Sequence, residues 1–164
     1  MKGYKAFNKD MLAMNNIKFE IGKQMHIDGP IKSGPIDGNG FHFCINFEDT
    51  FRFVSFESNV LLCEIKAFGK ISHEYCDEYN GYYGIYSCSD IILERIIPRE
   101  EIITMASKLP EYRLERFIQT YKLNKEELVE IRKIILNNSN LNKYFEYYQL
   151  DNKKVFYESK NIRI

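Results

Sequence analysis

All nine glycines of this 164-residue chain lie at or before Gly84, and none follows it. Glycine supplies the turns that join short strands, whereas a long glycine-free stretch with apolar residues at helical spacing marks helices. The chain therefore reads as two unlike parts divided near Pro98. Residues 1–97 are predicted to form a β-rich domain, with a mostly antiparallel (split) β-sheet and one short helix. Residues 98–164 are predicted to form a C-terminal helical segment packed on it. The fold class is α+β, and the length suffices for one core without disulfides or metals.

The strand candidates are Tyr4–Phe7, Ile17–Ile21, Gly40–Asn46, Val60–Phe68, Tyr82–Ser87 and Asp90–Ile97, each rich in β-branched or aromatic residues. Between Gly29 and Gly40 the stretch GPIKSGPIDGNG is broken by prolines and glycines, which predicts a loop long enough to carry function. The segment Asn46–Glu57 opens with a polar cap and acids and places Phe47, Phe51 and Val54 at helical spacing. It is predicted to be a short helix. After it, Pro98 and Pro110 suit helix starts, and Leu114, Phe117, Ile118 and Tyr121 share one helical face. Asn124 is expected to cap a third helix with Leu128, Ile131, Ile134 and Ile135 as its stripe and Glu127 three residues after the cap. A last helix over Leu141–Leu150 and a short strand over Val155–Glu158 complete the expectation.

Composition excludes several functions. Lys plus Arg and Asp plus Glu both number 23, so no excess of positive charge favours nucleic acid or an anionic membrane. The stretch YKLNKEELVEIRKIIL resembles the second half of a helix-turn-helix, but Glu126, Glu127 and Glu130 stand where phosphates would approach. No apolar run approaches a membrane span and no leader is evident, so a cytoplasmic location is expected. The cysteines Cys44, Cys63, Cys76 and Cys88 lack metal or redox spacing and read as reduced thiols, with Cys76 and Cys88 the first pair to suspect of a disulfide. No metal site is expected.

Two features could carry function. In a strand over Gly40-Phe41-His42-Phe43-Cys44, alternation puts His42 and Cys44 on one face and the phenylalanines on the other. Side chains two residues apart stand about 6 to 7 Å from each other, too far for a direct acid/base and nucleophile pair. A half-buried, hydrogen-bonded ring is the plainer reading of His42. The window Ile71–Glu94 holds Glu74, Asp77, Glu78, Asp90 and Glu94 with five tyrosines and no Lys or Arg, an acidic surface suited to a protein partner. Glu64, an acid within an apolar strand, becomes a catalytic candidate if it lines a cleft.

The opening Gly3-Tyr4-Lys5-Ala6-Phe7-Asn8-Lys9, with Phe19-Glu20-Ile21-Gly22-Lys23 and Gly40-Phe41-His42-Phe43-Cys44, resembles a family of small uncharacterised bacterial and phage proteins with a K-G-Y-K-x-F-N start and a G-F-H-F-C centre. That resemblance spans roughly the first hundred residues and implies no activity. The order of Tyr4–Phe7, Gly40–Cys44 with its following helix, and Asp90-Ile91-Ile92-Leu93 is also similar to ADP-ribosyltransferase-like folds. That similarity implies His42 as the ring stacking on nicotinamide and Asp90 as the acid stabilising an oxocarbenium-like ribosyl centre. It further implies Tyr4, Lys5 and Phe43 as cofactor-binding residues and NAD as the cofactor, with Tyr4 and Lys5 where those enzymes carry Arg or His. The plainer reading of Asp90 is a solvated strand-edge acid, and of Tyr4 and Lys5 an edge-strand surface. Two functions follow as expectations: an ADP-ribosyltransferase-like nucleotide-binding domain, or a non-enzymatic factor of a bacterium, phage or mobile element that docks a host protein through its acidic, tyrosine-rich surface. Nothing in the sequence speaks to oligomeric state.

Overall fold

A computed structural model describes residues 1–12, 17–32, 39–53, 60–76, 83–121, 123 and 125–135. Their elements are β1 (Lys2–Phe7), β2 (Gln24–His26), β3 (Phe41–Phe43), a 3-10 helix (Phe47–Arg52), β4 (Leu61–Cys76), β5 (Tyr83–Ile97), α1 (Arg99–Ala106), α2 (Glu111–Thr120) and α3 (Lys125–Ile135). The five strands form one sheet in the order β1-β4-β5-β2, and β3 also pairs with β5. Every strand pairing is antiparallel. The α+β class with an antiparallel N-terminal sheet is thus the observed one.

Beyond β3 the ladder returns to β1. Tyr4 and Cys44 exchange both backbone hydrogen bonds, at 2.7 and 2.9 Å, so the pairings run β1 to β4 to β5 to β3 and back to β1. Gly3 permits this close approach. A Cβ placed there would stand 2.6 Å from the Phe43 ring and 2.7 Å from the Cys44 carbonyl, closer than packed atoms come.

Alternation within β1 explains the core. Gly3 and Phe7 are buried, while Tyr4 sits edge-on to Phe47, with ring centroids 6.1 Å apart. The main cluster joins Phe7, Phe19, Phe41, Phe43, Cys63, Ile65, Ala67, Cys88, Ile91 and Leu93. Phe19 holds it together, with its ring 4.9 Å from that of Phe7 and 5.7 Å from that of Phe41. Burying a side chain of this size contributes about 2 to 3 kcal/mol. Cys44, Cys63 and Cys88 are buried thiols outside any disulfide.

Several expectations are corrected. The strands predicted at Tyr82–Ser87 and Asp90–Ile97 are not separate: β5 runs unbroken from Tyr83 to Ile97, because β4 continues past Phe68 through the polar stretch to Cys76 and pairs with β5 across Cys88. The predicted strand at Ile17–Ile21 is reduced to isolated bridges at Lys18 and Ile21, and the strand lies at Gln24–His26 instead. The short helix is a 3-10 turn ending at Arg52, and Asn46 bonds the Asp49 side chain at 3.0 Å without capping the backbone. Pro98 precedes α1, where its carbonyl accepts from Glu101 and Ile102, and does not fill the first turn. The strand predicted at Gly40–Asn46 shortens to Phe41–Phe43. Leu114, Phe117 and Tyr121 are buried as expected. The expectations for Val54, Asn124, Leu141–Leu150 and Val155–Glu158 fall outside the described residues.

The chain divides into two compact units, Met1–Ile102 with Thr120–Lys122, and Ile103–Gln119 with Leu123–Ile164. In the first, all five strands and the 3-10 helix come together. In the second, Ile103, Ala106, Leu114, Phe117 and Ile131 are buried. No helix among the described residues is long and apolar enough to cross a membrane.

Candidate functional site

Near its middle, β5 changes the face it gives to the core. Tyr86 and Cys88 join the main cluster on one side of Ser89–Asp90, and Ile91 and Leu93 join it on the other, an odd step that strict alternation forbids. Opposite this point β4 inserts Gly69 and Lys70, so that Phe68 pairs with Asp90 but Ile71 pairs with Cys88. Such bulges re-aim side chains, and they concentrate beside functional sites. Gly69 carries a positive φ of 73°, and a Cβ there would fall on Ser89 Oγ and Asp90 Oδ2.

Four side chains gather at the irregularity. The Lys70 amide donates to Ser89 Oγ at 2.9 Å, and Ser89 Oγ donates to Asp90 Oδ2 at 2.6 Å. His26, opposite Asp90 in the β2–β5 register, places Nδ1 2.8 Å from Asp90 Oδ1 and Nε2 3.1 Å from Asp28 Oδ1. A carboxylate only accepts, so a ring between two of them is satisfied with both nitrogens protonated. His26 thus bridges the two carboxylates, and its pKa is raised first by the Asp90 hydrogen bond and then by that of Asp28. The Asp90 carboxyl is held below its ordinary value, first by the Ser89 hydroxyl and then by His26.

This arrangement can hold an ionised carboxylate and an imidazolium at fixed places on a sheet edge. It does not activate a nucleophile, since Ser89 donates to Asp90 and not to a histidine. Among the described residues no group of three or more His, Cys, Asp or Glu could hold a metal.

The other candidate residues are dispersed. Lys5 stands beside Cys63 in the β1–β4 register and donates from Nζ to the His42 carbonyl at 2.7 Å, with the Phe7 and Phe19 rings 5.3 and 5.9 Å away. Burial draws its pKa down to about 8, opposed by the Cys44, Cys88 and Cys63 thiols. Burial likewise pushes the Cys63 and Cys88 thiols up to about 11. Phe43 is in the core, 5.4 Å from the Tyr86 ring. His42 is half-buried and lies opposite Ser87.

Tyr4 sits opposite Glu64, and burial raises its pKa, followed by the charge of Glu64. The Glu64 carboxylate is engaged in an ion pair. It takes two bonds of 2.8 Å from Arg95, whose Nη1 and Nη2 also reach Glu101 at 2.7 and 2.6 Å. Fold geometry therefore joins Lys5 to the His42 backbone and Asp90 to His26. Sequence reasoning missed His26 and Asp28. The alternation of Gln24, Met25, His26, Ile27 and Asp28 was the signal, with Met25 and Ile27 packing on the core.

Residues 1–79 match a family model described as a domain of unknown function, DUF7666. The match covers β1 to β4 and stops before β5, so His26 and Asp28 lie inside it and Ser89 and Asp90 outside. No curated protein and no solved structure matches the chain.

Proposed function

We propose that this protein is a non-enzymatic binding factor, whose working surface is the acidic edge where β2 meets β5. The observation that carries the reading is the convergence of Asp28 and Asp90 on His26, with Asp90 and His26 separated by 64 positions in the chain. A sheet edge so equipped offers fixed charge and backbone to a partner, and the arginine- and lysine-free window Ile71–Glu94 supplies the end of β4 and β5 as far as Glu94. Residues 77–82 of the tyrosine-rich stretch lie outside the described residues.

The alternative, an ADP-ribosyltransferase-like domain holding NAD, draws less support. Its acid, Asp90, already binds Ser89 and His26, while Lys5 and Phe43 are committed to the core. The test is twofold. Thermal-shift titration with NAD should give no saturable change, and selection from a displayed random-peptide library should enrich a consensus that binds the pure protein. A saturable NAD shift abolished by Asp90→Ala, in a variant that still folds, would reverse the choice between the two readings.

A further inference from the structure

Strand direction at β2 narrows the partner to one edge and one chemistry. We infer that an extended, cationic segment of a partner protein adds as a further strand along the outer side of β2. This rests on the binding-factor reading and specifies its site.

The Ile27 amide donates to the Ser89 carbonyl at 2.9 Å, so it points at β5. Backbone direction alternates along a strand, so Met25, opposite Ile91, points the same way and Gln24 and His26 turn their N–H and C=O groups outward. Among the described residues no strand pairs with that outer side. Exposed edges of this kind template the addition of a strand, with main-chain bonds giving affinity and side chains giving specificity.

Charge selects the occupant. Glu20 matches Lys23 at 3.0 Å, while Asp28 and Asp90 have only the one His26 ring between them, so carboxylates outnumber cations here whether or not that ring is protonated. The Asp28 side chain is fully exposed, at 100% of its free surface. No Lys or Arg occurs between Gln24 and Ile31. A strand with Lys or Arg at alternate positions would meet Asp28 while its backbone satisfies Gln24 and His26, whereas an acidic strand would be repelled.

The test uses the full chain and two labelled peptides, one alternating Lys with Thr and one alternating Glu with Thr, read by fluorescence anisotropy and by amide shifts. The Lys–Thr peptide should bind saturably and shift the Gln24 and His26 amides, and the Glu–Thr peptide should not bind. Gln24→Pro deletes an outward N–H without removing a bond to β5, and should weaken binding by about tenfold or more, a difference of about 1.4 kcal/mol or greater. If that variant does not fold, Asp28→Lys carries the test, with binding reduced several-fold. No binding of the Lys–Thr peptide, equal binding of both peptides, or unchanged binding in the folded variants overturns the inference. So does a dimer in sedimentation that Gln24→Pro dissolves, which would assign the edge to a second copy of this chain. Library-selected peptides whose binding survives Gln24→Pro would remove this inference and leave the binding-factor reading standing, and an empty selection would remove both.

Discussion

Lys5→Met tests whether the core holds a buried cation. The Lys5 amine falls from 10.5 to about 8 in the folded chain. At about 1.4 kcal/mol per unit, burying it charged costs about 3 kcal/mol, an upper figure because the residue keeps part of its surface in solvent. Below pH 8 the amine is protonated in both states and the full penalty applies. Between about 8 and 10.5 the unfolded chain keeps a proton that the folded chain has released, so this group makes stability rise with pH. Methionine fills similar space without charge but forfeits the bond to the His42 carbonyl, a loss of about 1 kcal/mol.

The variant should therefore be more stable than the parent by about 2 kcal/mol near neutral pH and less stable by about 1 kcal/mol once the amine is neutral, with the sign changing between. Cys63 and Cys88 act oppositely, since thiols raised from 9.0 to about 11 ionise first in the unfolded chain and lower stability above pH 9. Lys5 lowers the pKa of both thiols, so the comparison is read below pH 9, before they ionise in the unfolded chain. The assay is urea unfolding in reductant at several pH values. A difference that stays flat with pH, or a variant less stable at neutral pH, would refute a buried, charged Lys5.

Three further outcomes are expected. Gly69→Ala should lose about 1 to 3 kcal/mol in chemical unfolding, through its positive φ and the displacement of Ser89 and Asp90, and should return the His26 titration toward its ordinary value in NMR. A retained His26 shift would show that the bulge does not position Asp90. His26 should titrate above 6.5 and Asp90 below 3.8, so their pairing supports the fold fully between those values, fading as pH rises through the folded histidine pKa or falls through the folded aspartate pKa. Asp90→Asn should lower the His26 pKa, and an unmoved titration would contradict the bridge. Phe19→Ala should cost about 3 to 5 kcal/mol, read by urea unfolding, since the ring is 2% exposed between Phe7 and Phe41, and a loss below about 1 kcal/mol would deny it that place.

The sequence alone determined what short-range physics controls. Glycine placement separated strands from helices, and alternation within F-H-F marked the buried Phe41 and Phe43, because both signals act within a few residues. Prolines announced α1 and α2 to within a residue. Tertiary structure decided where strands continue and what meets what. The polar stretch that follows Phe68 has little strand signal of its own and extends β4 because β5 is there to pair with it. His26 and Asp28 carried no chemistry until the β2–β5 register set them beside Asp90, and the Gly69 bulge turned that carboxylate toward them. Lys5 looked like an edge-strand cation, yet closure of the ladder through Cys44 turned its side chain inward, because pairing between distant segments fixes which face of a strand is inside.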